Sequence, residues 1–421
     1  MRIIYTLCGL LTILLFAPQV YAQRNPQIPL TKIYTDSTLV HKTKKDTTVL
    51  SKKGTPQKDL YSVIGALFHE STPSVNDSIT SKPVISVVPA IGYTLVSRLA
   101  VVLSGNVTFR TGPQSRVSTI VASTSYTQNK QFSIPVQSSI WSKNNEYNFV
   151  GDYRFYKFPQ STFGLGSSSK MRNEDPMDYN FVRFYETVLR HLGGNFYAGL
   201  GYMFDTHYNI TEKGNINGGI SDYALYGKTA RSIASGFAFN TFYDSRDNAI
   251  NPSKGAYISL LYRVSPSGLG SSSTWTSLTV DARKYIKFPA SSENILALWS
   301  YDWIILNGRP QYMDLPSISW DANSATGRGY IQGRFRGAQM VYGEAEYRFR
   351  ILANGLLSGV VFANVESFSA QQGTRLQAIQ PGYGPGLRVS INKLSKTNIT
   401  IDYGFGTQGS RGLFIDVGEA F

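Results

Sequence analysis

The chain carries one cysteine, Cys8, and four histidines, His41, His69, His191 and His207. Past Cys8 there is no thiol to form a disulfide framework, act as a nucleophile or ligate zinc. The histidines lie far apart in sequence, with no nucleophile arrangement around any of them, so His191 and His207 read as residues near strand ends. No Walker-type loop, dinucleotide fingerprint or metal-ligand cluster occurs, so no cofactor or metal is expected. Paired acids such as Glu344 and Glu346 read as wall charge, not as a catalytic dyad, and no enzyme is expected. Also missing is an apolar run of about 20 residues, the length a spanning helix needs.

What stands at the start is shorter. Arg2 precedes the mostly apolar stretch from Cys8 to Val20, and "VYA" ends at Ala22 before Gln23. This pattern predicts a secretory signal peptide over 1–22. Cys8, in "YTLC", comes too early to be a lipoprotein cysteine. An exported chain without cysteine suits a bacterial envelope.

Charge is sparse but uneven in sign. Lys and Arg number 41 against 27 Asp and Glu, a net charge of +14. The basic residues are scattered and sit on no helical reading module, which argues against nucleic acid as a partner. Anionic lipid headgroups and lipopolysaccharide are the expected partners of such an excess.

Residues 23–83 read as a polar extension. "HKTKKDTTVLSKKGTPQK" has too few apolar residues to build a core. Within the extension, Leu60, Val63, Ile64, Leu67 and Phe68 recur at helical spacing behind Asp59. They predict one short amphipathic helix over about 59–71, lying on the membrane, plugging a pore or packed on a neighbour.

From residue 84 to 421 the texture changes. Segments of roughly 9–15 residues alternate apolar and polar, are rich in Tyr, Phe, Val and Thr, and are separated by Gly, Ser, Asn and Pro. They begin near 84, 97, 116, 131, 147, 179, 195, 231, 255, 273, 294, 338, 356, 383, 398 and 411. The expected fold is all-β: a transmembrane antiparallel β-barrel of about 16 strands in a bacterial outer membrane. The gaps support it. Short turns such as 192–194, 289–293 and 352–355 fall between even and odd strands. The long gaps 159–177, 212–229, 309–337 and 370–382 fall between odd and even ones. With an even strand count, both termini are expected in the periplasm and the long loops outside.

Alternation also sorts side chains. In "AQMVYGEAEYRFRI", Tyr342, Glu344, Glu346, Arg348 and Arg350 share one face, opposite Val341, Gly343, Ala345, Tyr347 and Phe349. The charged face must be the lumen, because Arg or Lys facing lipid at mid-depth costs roughly 2–4 kcal/mol. The same rule turns Asn364, Glu366 and Asp402 inward. Asp281 and Asp302 are expected inward as well.

Into this pattern falls "RGYIQGRFRG" (328–337), three arginines in a glycine-rich stretch of the longest expected loop. Its position resembles the BamA/TamA-type outer-membrane barrels of the bacterial surface antigen superfamily and their two-partner secretion relatives. In that family the loop after the eleventh strand folds back into the lumen. It carries a (Val/Ile)-Arg-Gly-(Phe/Tyr) motif whose arginine pairs with lumen acids. The resemblance matches Gly327, Arg328, Gly329 and Tyr330 to the motif, with Arg334 and Arg336 following, and it offers Glu346, Glu366 and Asp402 as acid partners. A second resemblance is "YDSRDNAINPSKGAYISL" (243–260), whose Asp244, Arg246, Asp247, Asn251, Pro252 and Gly255 match the family's turn between strands eight and nine. The chain ends in Phe421, as the terminal recognition strand of an outer-membrane barrel should.

Three departures stand beside the likeness. Gly327 replaces the family's aliphatic residue. Phe362-Ala363-Asn364 lacks the acid of the secretion relatives' Phe-x-Asp motif, so Glu366, two residues on, is offered in its place. The 23–83 extension is also too short and too polar for a periplasmic POTRA module. The resemblance implies a barrel that assists insertion or passage of client proteins, or of lipids, at the outer membrane, through a weak seam between its first and last strands. Pro89 and Gly92 in the first strand suit such a seam. The alternative is a passive pore or structural barrel that kept the fold alone.

Overall fold

A computed structural model of the chain describes residues 57–60, 83–392 and 396–421. The expected signal peptide and nearly all of the expected 59–71 helix lie outside the described residues.

Sixteen strands form one closed antiparallel sheet, each paired with its neighbours in sequence. They are β1 (Val84–Thr94), β2 (Arg98–Phe109), β3 (Ser118–Thr127), β4 (Phe132–Trp141), β5 (Tyr147–Lys157), β6 (Asp175–Gly193), β7 (Phe196–Glu212) and β8 (Arg231–Asp244). The second half is β9 (Gly255–Ser265), β10 (Trp275–Lys287), β11 (Ile295–Gly308), β12 (Gln339–Arg350), β13 (Leu357–Ser369), β14 (Gln380–Asn392), β15 (Thr397–Phe405) and β16 (Arg411–Val417). A three-residue strand, Gln160–Thr162, pairs beside the start of β6.

Strands β2 to β15 are each paired on both sides, and the ring closes where β1 meets β16. The closure is uneven. β1 pairs with β2 along its whole length but meets β16 at one paired position, Tyr93 opposite Ile415. Elsewhere β6 and β7 are the longest strands, at 19 and 17 residues, and raise one wall of the barrel above the rest.

Alternation divides inside from outside. Along β13, Val361 and Val365 are 49% and 48% exposed, whereas Asn364 and Glu366 between and beyond them are 2% and 1%. The outer face carries apolar side chains such as Leu99, Val101, Leu200, Phe237 and Phe239, which is what lipid requires. β11 corrects one expectation. Trp299 and Trp303 pack inward, so Asp302 between Ser300 and Trp303 falls on the outer face, flanked across the ladder by Val280 and Val341. Asp281 does point inward, where Trp299 Nε1 donates to it at 3.0 Å.

The short connections, among them 194–195 and 351–356, share the end that bears the chain's C-terminus. The long ones, 158–174, 213–230, 309–338 and 370–379, share the far end. The core of the molecule lies inside the barrel and is built largely by the 309–338 loop. Ile318, Tyr330 and Phe335 from the loop pack with Tyr285, Trp299, Met340, Tyr342 and Phe368 from the wall.

Candidate functional site

The 309–338 loop crosses the lumen. On one side Arg154 of β5 donates to the carbonyl of Ala322 at 3.2 Å. On the other, Asn364 of β13 donates to the carbonyl of Arg328 at 3.0 Å. Within the loop, Ser317 bridges Arg336, and the Asp321 carboxylate accepts from the Thr326 amide (2.9 Å) and hydroxyl (2.7 Å), so the segment has a defined shape of its own.

The three arginines of its 328–337 stretch take three different kinds of partner. Arg328 reaches the wall. Its guanidinium donates to Asp402 of β15 at 2.6 Å and also to Glu344 and Glu346 of β12, while lying 3.9 Å above the ring of Phe362. Arg334 ties the loop to its neighbours, donating to the Ser169 hydroxyl (2.8 Å) and carbonyl (2.7 Å) and to Gln408 (3.3 Å). Arg336 folds the loop onto itself by donating to the carbonyls of Tyr312 (3.2 Å) and Met313 (3.1 Å). Tyr330 anchors the motif's far side, its hydroxyl donating to the Pro381 carbonyl at 2.6 Å and accepting from the Thr407 amide at 2.9 Å.

Glycine has a steric reason at two motif positions. A side chain on Gly329 would run into the backbone of Phe405, its Cβ 2.7 Å from the carbonyl oxygen, so only glycine lets the loop lie against β15. At Gly327, φ is 78° and the space a side chain would enter is filled by Ile318. The aliphatic group absent from position 327 is thus supplied from position 318.

The acids around Arg328 form part of a wider cluster. Arg348 donates to Glu346 at 2.7 Å, and Arg388 pairs with Asp402 at 2.5 Å and Glu419 at 2.8 Å. Three guanidinium groups therefore face four carboxylates, all buried or nearly so. Charge-assisted bonds of this kind fix geometry more firmly than neutral ones, and losing one member leaves its partners uncompensated.

Of the expected partners, the structure brings Glu346 and Asp402 to Arg328. Glu366 is not among them: it is 1% exposed with neither oxygen hydrogen-bonded. Two residues along β13 from Asn364, it is opposite Tyr342 instead of the arginine's acids, and Glu344 takes the place proposed for it. Asn364, where the secretion relatives carry an acid, meets the loop through the Arg328 carbonyl.

The turn between β8 and β9 is tied by its own side chains. Asp244 accepts from Arg246 Nε (2.9 Å) and Nη2 (2.8 Å), and Asp247 accepts from the Ser253 amide (2.8 Å), the Ser253 hydroxyl (2.6 Å) and the Lys254 amide (3.1 Å). Burial alone would raise the Asp247 carboxyl. These bonds and the Lys396 charge outweigh it and hold the group below its ordinary value. Pro252 is buried, Asn251 donates its amide to Asn248 (2.8 Å), and Gly255 opens β9.

The sequence matches the Omp85 superfamily domain over residues 108–421. The chain belongs to the Omp85 superfamily. No curated protein matches it. Among solved structures, the barrel is similar to BamA from Haemophilus ducreyi lacking POTRA domains 1–3, at TM-score 0.53 and 12% identity, covering 83% of this chain and 74% of that one. It is also similar to CdiB from Escherichia coli, at TM-score 0.55, 9% identity and 83% and 63% coverage. CdiB from Acinetobacter baumannii gives 0.52, 11%, 80% and 59%. This Omp85 barrel therefore spans under two thirds of the CdiB chains. At such identities the likeness establishes the fold.

Two features of the Omp85 barrel were hidden in its sequence. Phe421 does not extend the last strand. β16 ends at Val417, and Phe421 turns inward to stack on Trp299, centroids 5.0 Å apart. His207 is no rim residue: it is 3% exposed, stacked on Phe181, with Nδ1 3.3 Å from a carboxylate oxygen of Asp314 in the lumen loop. Inward alternation along β7 was the available signal, since Asp205 shares its face. His191 does stay at a strand end, hydrogen-bonded to the Gly194 carbonyl at 2.9 Å.

Proposed function

We propose that this Omp85 barrel assists the insertion or translocation of client proteins, or of lipids, at the outer membrane. Both termini are then periplasmic and the 309–338 loop is an internal plug, held by the Arg328 cluster. The observation that carries the reading is the single paired position between β1 and β16, against full-length pairing of β1 with β2. Few ladder bonds must break there. A seam of this kind can part sideways while the plug keeps the lumen closed. Similarity to BamA and CdiB supports the same reading. The basic excess suits anionic lipopolysaccharide around the barrel.

The test compares outer-membrane proteomes of a strain lacking the protein and its parent. Selective loss of particular outer-membrane or surface proteins is expected. The loss should recur when Tyr93→Cys and Ile415→Cys are cross-linked in the full chain, and reverse on reduction. An unchanged proteome would favour the passive or structural barrel, for which single-channel recording would then measure whether the plug opens.

A further inference from the structure

At the far end of the barrel, the first residue of β6 presents an unusual carboxylate. Asp175 is 1% exposed, neither oxygen has a hydrogen bond of ordinary geometry, and the Glu212 carboxylate lies close enough to repel it. A buried carboxylate beside a second one is expensive unless a proton or a cation answers it. It lines a cavity of about 30 Å³ with Thr162, Asn173, Asn215, Ser221 and Asp222. That is room for an ion or a water or two.

The surroundings select what could enter. Every side chain named presents oxygen, two of them as carboxylates, and none presents sulfur or an imidazole. The nearby cation, Lys228, is already engaged by Glu212, whose other oxygen accepts from Ser221 at 3.1 Å. Asp222 accepts from the Leu165 amide through one oxygen at 2.6 Å, with no partner found for the other among the described residues. An oxygen-only donor set with two carboxylates suits a hard divalent cation, and the irregular mix of carboxylate, amide and hydroxyl suits the flexible shell of Ca²⁺ better than the strict octahedron of Mg²⁺. No three carboxylate, imidazole or thiol groups among the described residues could hold an ion by themselves. Amide, hydroxyl and water oxygens would complete the shell.

We propose that this cavity is a Ca²⁺ site, with Asp175 its central ligand and Asp222 its second carboxylate. The ion would join the 158–174 connection and the head of β6, already paired through Gln160–Thr162, to the 213–230 connection. Nothing in this depends on what the barrel transports.

The test uses the full chain folded in detergent micelles, with CaCl₂ and MgCl₂ as probes. Titration calorimetry should give a Ca²⁺ dissociation constant on the order of 10⁻⁴–10⁻³ M, the range of weak extracellular sites. Ca²⁺ should raise the melting temperature relative to EDTA. Asp175→Asn should weaken binding by about tenfold or more while melting in EDTA at the same temperature or higher, since it removes a buried charge beside a second carboxylate. If that variant fails to fold, Asp222→Asn should still show weakened binding. Absence of any Ca²⁺ response at about 10 mM, an equal response in both variants and the parent, or a response to Mg²⁺ alone would overturn the assignment.

Discussion

Nη2 of Arg348 donates to the main-chain oxygen of Phe421 at 3.1 Å while Nε of the same side chain donates to Glu346. Glu346 is also bound by Arg328, so Arg348 and Glu346 link the last residue of the chain to the lumen loop. The tail adds a second tie through Glu419 and Arg388, which also holds Asp402. Loop, wall and C-terminus are thus parts of one buried ion cluster.

Arg328→Ala is expected to cost about 3–5 kcal/mol, because it leaves Glu344, Glu346 and Asp402 short of a counter-charge in a closed space. The checks are the temperature at which the folded barrel unfolds on an unheated gel, protease cleavage within 309–338, and single-channel conductance. All three should move toward a loosened loop. Unchanged cleavage and conductance would mean that the cluster does not hold the loop.

Glu366 should behave in the opposite way. Its oxygens have no partner, so Glu366→Gln should leave thermal stability unchanged or higher, whereas Glu346→Gln should lower it. Melting the two variants side by side distinguishes them. Equal losses would show that Glu366 has a counter-charge after all.

Phe421→Ala removes a ring stacked between the wall and the cluster, a loss of about 3 kcal/mol by comparison with other buried phenylalanines. Refolding the purified chain into lipid vesicles isolates this packing effect from any recognition of the C-terminus in the cell. Slower refolding and faster proteolysis of residues 411–421 are expected. Normal behaviour in vesicles would confine Phe421 to recognition.

Asp247 offers a pH signature. Its folded-state carboxyl is held below the ordinary value, so its contribution is present above the unfolded value and disappears as pH falls through the lower folded one. Asp247→Asn should therefore destabilise by about 1 kcal/mol at neutral pH, and the difference should close in strong acid. Melting curves of both proteins across pH would reveal a pH-independent gap if the hydrogen bonds work equally well with an amide.

Strand number, register of turns and the inward face of most charges were legible in the sequence, because lipid outside and polar lumen inside force a period of two on every strand. That rule put Glu344, Glu346, Arg348 and Asp402 inside from their positions alone. It failed at Asp302, where the phase of β11 is set by Trp299 and Trp303, which the spacing of apolar residues did not single out. The arginine motif identified a residue in need of acids. Which acids it meets was decided by how the loop enters the lumen, a relation between segments far apart in the chain. For that reason Glu344 stands where Glu366 was expected, His207 faces Asp314, and Phe421 leaves its strand to join the cluster. Alternation fixes a side chain's face; only closure of the barrel around its own loop fixes its partner.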